Sequence, residues 1–205
     1  MKLFTIGHSN HELNELVRLL QMHQITAVAD VRSSPFSARL QQFNKPVLKA
    51  ALEQAGIAYV FLGNELGARR SEQSCYVGGQ ARYDLIEKTP AFSEGIVRVL
   101  KGIEKYRMTL LCAEKDPITC HRTILVCREL SRRGVQIDHI LADGKLESHS
   151  ELEKRLRAQL GLDQPSLFET AEQQLEEAYN RQALKIAYRA GDPEEQEDQQ
   201  ATAPL

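Results

Sequence analysis

The chain has 205 residues, 42% hydrophobic and 26% charged, an ordinary globular mixture that excludes collagen-like, wholly disordered and disulfide-scaffold classes. A formal charge of −2 gives no global electrostatic case for nucleic acid or membrane. The average hides an asymmetry, because residues 191–205 carry Asp192, Glu194, Glu195, Glu197 and Asp198 and no Lys or Arg. The remainder holds 26 basic against 23 acidic side chains.

In chain order, Lys2–Ile6 reads as a first strand, with no apolar run and cleavage site of a secretory signal. Ser9 or Asn10 is placed to cap a helix with Leu13, Leu16, Val17 and Leu20 at helical spacing. Ile25–Val31 is a near-continuous apolar run, as expected of a strand buried on both faces. A loop over residues 33–45 leads to Pro46, which suits the first turn of a helix that stops at Gly56. Ile57–Leu62 gives the third strand. The polar stretch Gly63–Gly79 has the length of a binding loop.

Pro90–Tyr106 is helical by its Phe92, Ile96, Val99, Leu100 and Ile103 spacing. Met108–Cys112 is the fourth strand, Thr119–Arg133 a helix, and Val135–Ile140 the fifth strand. This order predicts an α/β domain: a mostly parallel sheet of about five strands with helices on both faces. A C-terminal helical extension follows, with helices from Ser148 to Gly161 and from Thr170 to Tyr188. The expected organisation is an α/β domain over 1–147, the extension over 148–190, and an acidic disordered tail over 191–205. No window is apolar enough to span a membrane. Four irregularly spaced cysteines suit a reduced, cytoplasmic protein.

In open parallel sheets, ligands bind beyond the carboxyl ends of the strands. There the sequence delivers His8 and Ser9, then Asp30 and Arg32, then Glu114, then Cys120, His121 and Arg122 at a helix start. Free N–H groups and the helix dipole favour an anion at such a start, and Arg122 adds a bidentate donor. Ser9, Arg32 and Arg122 are therefore the expected substrate- or anion-binding residues. His8, Asp30, Glu114, Cys120 and His121 are the candidate catalytic residues, with His8 and His121 as acid–base groups and Cys120 a nucleophile whose thiolate the helix start favours. Asp30 is placed to orient His8; alternatively Asp30 and Arg32, on one strand face, pair with each other. Nine residues separate Cys112 from Arg122, more than in the Cys-to-Arg loops of phosphatases and rhodaneses. No cofactor is predicted. A zinc reading would use Cys112, Cys120 and His121, but the C-x₂₋₄-C spacing is absent and an adjacent Cys-His pair is an unusual donor pair.

Thr5-Ile6-Gly7-His8-Ser9, Asp30-Val31-Arg32, Leu62-Gly63 through Leu66-Gly67, and Cys112-Ala113-Glu114 with Cys120-His121-Arg122 together resemble the domain of unknown function 488 (DUF-488) family. The resemblance runs over about residues 3–145 and implies a bacterial-type cytosolic α/β domain without supplying a reaction. Asn64 stands where a second glycine is expected. Beyond it, Gln164-Pro165-Ser166-Leu167-Phe168 is similar to the pentapeptide by which bacterial replication and repair proteins dock on the sliding clamp. Leu167 and Phe168 would fill an apolar pocket with Gln164 fixing orientation, or would instead pin the last helix to the domain. Two functions are thus expected: an enzyme acting on a phosphorylated or nucleic-acid-derived substrate at the strand ends, or a non-catalytic DNA- or RNA-associated module recruited to the clamp. For the second, Arg69, Arg70, Arg128, Arg132 and Arg133 are candidate phosphate contacts.

Overall fold

A computed structural model describes residues 1–166 and 168–190. Leu167 and the acidic segment 191–205 lie outside the described residues.

The first strand, β1 (Lys2–Gly7), leads into α1 (Leu13–Met22), β2 (Ala27–Asp30), α2 (Lys45–Gln54) and β3 (Ala58–Phe61). The 63–79 stretch is more ordered than a loop. It contains a short helix α3 (Gly63–Leu66) and the first strand of a hairpin, β4 (Tyr76–Val77) with β5 (Gln80–Ala81), before α4 (Tyr83–Ile86) and α5 (Pro90–Lys105). Then come β6 (Met108–Cys112), a π-helical segment Arg122–Cys127 continued by α6 (Arg128–Arg132), β7 (Gln136–Ile140), β8 (Leu146–Ser148), α7 (His149–Gln159) and α8 (Ala171–Ile186).

The fold is α/β, with one six-stranded sheet in the order β3-β2-β6-β1-β7-β8. All pairs are parallel except β7 with β8. The three-residue edge strand β8 is too short for a period-2 pattern to mark it in sequence. Leu16, Leu19 and Leu20 of α1 and Leu48 and Leu52 of α2 pack with Phe4, Ile6 and Val28 on one face. On the other, α5, the π-helical segment, α7 and α8 form the larger core around Leu3, Ala29 and Leu110. The extension is therefore part of this core: Leu152, Leu156, Ala178 and Tyr179 are buried in it. Among the described residues no helix is long and apolar enough to cross a membrane.

Local chemistry explains the element ends. Ser148 and Thr170 cap α7 and α8 in capping boxes with Glu151 and Gln173. At α1 the expected cap fails: Glu12 occupies that position without a side-chain bond. The backbone N–H groups of His8 and Ser9 instead donate to the carbonyls of Cys112 and Ala113, at 2.8 Å each, extending the β1–β6 pairing. Gly7 permits this crossing, because a Cβ there would lie 1.8 Å from the Glu114 carbonyl oxygen. Gly63 meets the same demand, with the Arg32 carbonyl 2.0 Å from where its Cβ would stand.

A polar chain runs through the second core face. The Thr5 hydroxyl meets His139 Nδ1 at 2.8 Å, and His139 Nε2 meets His149 Nδ1 at 3.0 Å. His149 Nε2 then meets the Tyr179 hydroxyl at 3.0 Å, which reaches Glu153 at 2.9 Å. It ties β1 and β7 to α7 and α8.

Candidate functional site

The adjacent strands β2, β6 and β1 end side by side, with Asp30 opposite Leu111 and Gly7 opposite Cys112. A cleft of about 640 Å³ opens there, within the range of small-molecule sites. Its floor is made by His8, Arg32, Cys112, Glu114 and His121. Ser33, Ser34 and Arg39 form one side, and Arg69, Tyr83 and the segment from Lys185 to Arg189 the other. That segment is held by pairing with the hairpin: Ala81 N–H donates to the Tyr188 carbonyl and Ala190 N–H to the Gly79 carbonyl.

Asp30 is fully buried and grips Arg32 at both oxygens, from Nη2 at 2.6 Å and Nε at 2.9 Å. It also accepts from the Tyr59 hydroxyl at 2.8 Å. Asp30 therefore fixes Arg32 and does not orient His8. His8 is held through Nδ1 by the Ser9 carbonyl at 2.9 Å, and its ring stacks on Phe43 with centroids 4.3 Å apart. With Nδ1 donating, Nε2 is the acceptor facing Arg32 Nη1 at 3.4 Å. Burial, then the charge of Arg32, lowers the His8 pKa to about 4, so the imidazole is neutral near pH 7.

The loop leaving β6 is fastened from several sides. Arg155 grips Asp116 with two bonds of 3.0 Å, and Gln182 donates to the Ile118 carbonyl at 2.9 Å. The predicted helix over 119–133 is instead a turn, a π-helical segment and a short α-helix. Cys120 ends the turn in extended backbone and His121 begins the helix in helical backbone. The two neighbouring side chains thereby converge on Cys112 beneath the cleft. Cys112 Sγ lies 3.6 Å from His121 Nδ1, and Cys120 Sγ donates to Glu114 at 2.8 Å. The ligand atoms of Cys112, Cys120 and His121 all lie within 4.8 Å of one another.

Burial pushes the Cys112 thiol up and the Cys120 thiol well up, against the expectation that a helix start favours a Cys120 thiolate. Burial also acts to raise Glu114, but His121, the Cys120 thiol and Arg122 outweigh it and hold the carboxyl at about 2. Arg122 is 1% exposed and lies under the loop, where Nη1 donates to the Glu114 carbonyl at 2.8 Å. It is an internal brace and does not line the cleft. The Ser9 hydroxyl turns to Asn10 at 3.2 Å and is likewise off the cleft wall. The strand-end residues His8, Arg32, Glu114 and His121 thus share one cavity, with Asp30, Cys120 and Arg122 behind it.

Sequence reasoning placed Cys112 at the strand end, balanced between core and site, and the fold puts its thiol on the cleft floor. It missed Arg39, Lys185 and Arg189 altogether, because distance along the chain carries no sign of spatial approach. Four of the five arginines expected to contact nucleic acid are engaged elsewhere. Arg70 pairs with Glu72, Arg128 and Arg132 with Glu176, and Arg133 with Glu129. Arg69 alone of the five lines the cleft. In the segment 164–168, Phe168 is 93% exposed among the described residues, while the Gln164 carbonyl accepts from Gln174 at 2.9 Å.

No curated protein and no solved structure matches the chain. The model of one family does match, described as a domain of unknown function, DUF488, over residues 12–128. The match takes in Asp30, Arg32 and the whole Cys112–Arg122 segment and stops short of His8 and the Lys185–Arg189 wall. Spanning more than half of the chain, it makes this protein a member of the DUF488 family.

Proposed function

We propose that the chain is an enzyme acting on an anionic, phosphate-bearing substrate, either a phosphorylated small molecule or a nucleic-acid fragment, held in the cleft. One observation carries the reading: among the described residues, Arg32, Arg39 and Lys185 line the cleft, where Glu114 is the one carboxylate. A low-dielectric concavity lined with one sign of charge concentrates ligands of the opposite sign. Arg32, locked by Asp30, is the pre-organised anion holder, and the serine hydroxyls beside it add donors. His8 is the acid–base group: its neutral imidazole lines the cavity, and Nε2 accepts from Arg32 Nη1 at 3.4 Å beside that anion position. The four free cysteines support a reduced, cytoplasmic setting.

Isothermal titration with pyrophosphate and a nucleoside diphosphate tests the reading. Binding is expected to weaken with salt, and by roughly tenfold or more in Arg39→Gln/Lys185→Gln, at about 1.4 kcal/mol per tenfold. Affinity for both probes that is indifferent to salt and to the double substitution overturns it.

A second reading is favoured by the exposure of Phe168. A large apolar side chain held out on the turn made by Ser166, whose hydroxyl accepts from the Phe168 and Glu169 N–H groups, suits an anchor for a partner. In that reading Gln164–Phe168 docks the protein on a sliding clamp and brings it to DNA. Loss of clamp binding on Phe168→Ala is expected; unchanged binding removes the docking role.

A further inference from the structure

The geometry points to a zinc site under the cleft, with Cys112 and Cys120 as thiolate ligands and His121 bound through Nδ1. At the tetrahedral angle, Zn–S of about 2.3 Å and Zn–N of about 2.0–2.1 Å subtend an S···N edge of about 3.6 Å. Cys112 Sγ and His121 Nδ1 stand 3.6 Å apart. Cys120 Sγ completes a trio whose members all lie within 4.8 Å of one another.

Three further features fit ligation better than three buried neutral side chains. First, the other imidazole nitrogen of His121, Nε2, donates to the Val31 carbonyl at 3.0 Å. Metal-bound histidines are characteristically held in this way, which fixes the ring and leaves the opposite nitrogen for the ion. Second, the Arg122 backbone N–H points at Cys120 Sγ at 3.4 Å, a donor that stabilises a thiolate. Third, the charges close. Two thiolates balance a divalent ion, and the Glu114 carboxylate, which accepts the Cys120 thiol proton at 2.8 Å in the metal-free chain, would turn on loading towards Arg122 Nη1, 3.9 Å away, and balance that buried guanidinium. The ligands come from a strand end, a turn and a helix start, all pinned by the surrounding loop bonds, so the trio is pre-organised.

Three protein ligands of the Cys₂His type are the donor set of a catalytic rather than a closed structural zinc. Cys112 and His121 border the cleft, so water or a substrate oxygen from the cleft is the fourth ligand. A water bound there would ionise near neutral pH. On loading, each thiol loses its proton to solvent and a sulfur lone pair forms the bond to zinc. No oxidation is involved.

The test uses the full chain, stripped with chelator under reducing conditions and titrated with Co²⁺ alone and then with Zn²⁺. One cobalt per chain is expected, with the intense visible bands of a tetrahedral thiolate site, bleached by one equivalent of zinc. Cys112→Ser and Cys120→Ser should each weaken binding by more than about 100-fold, beyond the 10–100-fold of an outer-shell loss. Cys75→Ala and Cys127→Ala, whose thiols lie outside the trio, should leave the spectrum unchanged. Circular dichroism checks the fold of each variant, and the wild-type spectrum decides the matter even where a variant fails to fold. A pale octahedral spectrum, no stoichiometric uptake, or full binding by folded Cys120→Ser overturns the site. So does a Cys112–Cys120 disulfide persisting in the purified chain with no metal bound. Arg39→Gln/Lys185→Gln should keep the cobalt spectrum, so anion binding and metal binding succeed or fail separately.

Discussion

Replacing Asp30 with Asn isolates the buried pair on which the cleft floor rests. Asp30 is 0% and Arg32 7% exposed, and four bonds of 2.6–3.2 Å join the carboxylate to Arg32 and Tyr59. Removing one partner of such a pair leaves an uncompensated buried guanidinium, at about 3–5 kcal/mol. In a chain of this size about 4 kcal/mol lowers the melting temperature by roughly 8–16 °C. The measurement is urea and thermal unfolding of wild type, Asp30→Asn, Asp30→Leu, Arg32→Met and Asp30→Leu/Arg32→Met. The double variant should recover most of the loss, because an apolar pair of similar volume replaces the ion pair at little net cost. Pyrophosphate binding should fall in both variants that lack Arg32. A single Asp30→Asn costing under about 1 kcal/mol, or a double variant no more stable than the singles predict by addition, refutes the reasoning.

The remaining predictions bear on other parts of the molecule. His149, packed among His139, Tyr179 and Glu153, is held by burial at about 4 against 6.5 in the unfolded chain. The unfolded state therefore takes up the proton first, and stability falls as pH drops from 6.5 towards 4; by pH 5 the loss from this group is about 2 kcal/mol. Urea midpoints at pH 7 and pH 5 should differ more in wild type than in His149→Gln, and equal differences would sink the assignment. Gly7→Ala drives a methyl into the Glu114 carbonyl and should cost about 1–3 kcal/mol while reducing anion binding. An alanine variant with unaltered melting and binding counts against the close crossing. Phe168→Ala should change stability by less than about 0.5 kcal/mol, whereas Phe92→Ala in the core should cost about 3–5 kcal/mol, both read by denaturant unfolding.

The contrast between those two phenylalanines shows what patterning conveys. Phe92 sits on a period-3.6 apolar stripe, so α5 and its buried face were legible before any coordinates. Phe168 sits in no stripe, and only the fold reveals that none of the described residues covers it. The strand ends were equally legible, because apolar runs give way to polar residues just after Gly7, at Asp30 and just after Cys112. Their neighbour relations were not: β6 inserts between β2 and β1, a choice made by tertiary packing. Asp30 and Arg32 two residues apart allowed either a mutual pair or a link to His8, and side-chain reach decided for the pair. The convergence of Cys120 and His121 depended on a switch from extended to helical backbone between adjacent residues, which no spacing rule encodes. The buried His139–His149–Tyr179 chain was hidden because each member lies on an otherwise ordinary amphipathic element.

The way the Lys185–Arg189 segment clips onto the β4–β5 hairpin divides the cleft into two parts of separate origin in the chain. The floor lies in the amino-terminal two thirds and is welded into the sheet, so it changes only with the fold itself. The Lys185–Arg189 part of the opposing wall arrives more than a hundred residues after Arg32, outside the matched family span, and pairs with the hairpin through main-chain bonds. If the cleft holds an anion as proposed, substitutions there would retune which one enters without disturbing the groups below. Relatives that keep the Cys112–Arg122 segment but carry a different final helix would then share a reaction while choosing different substrates. Grafting one such carboxyl-terminal segment onto another member's floor becomes a direct way to exchange selectivity.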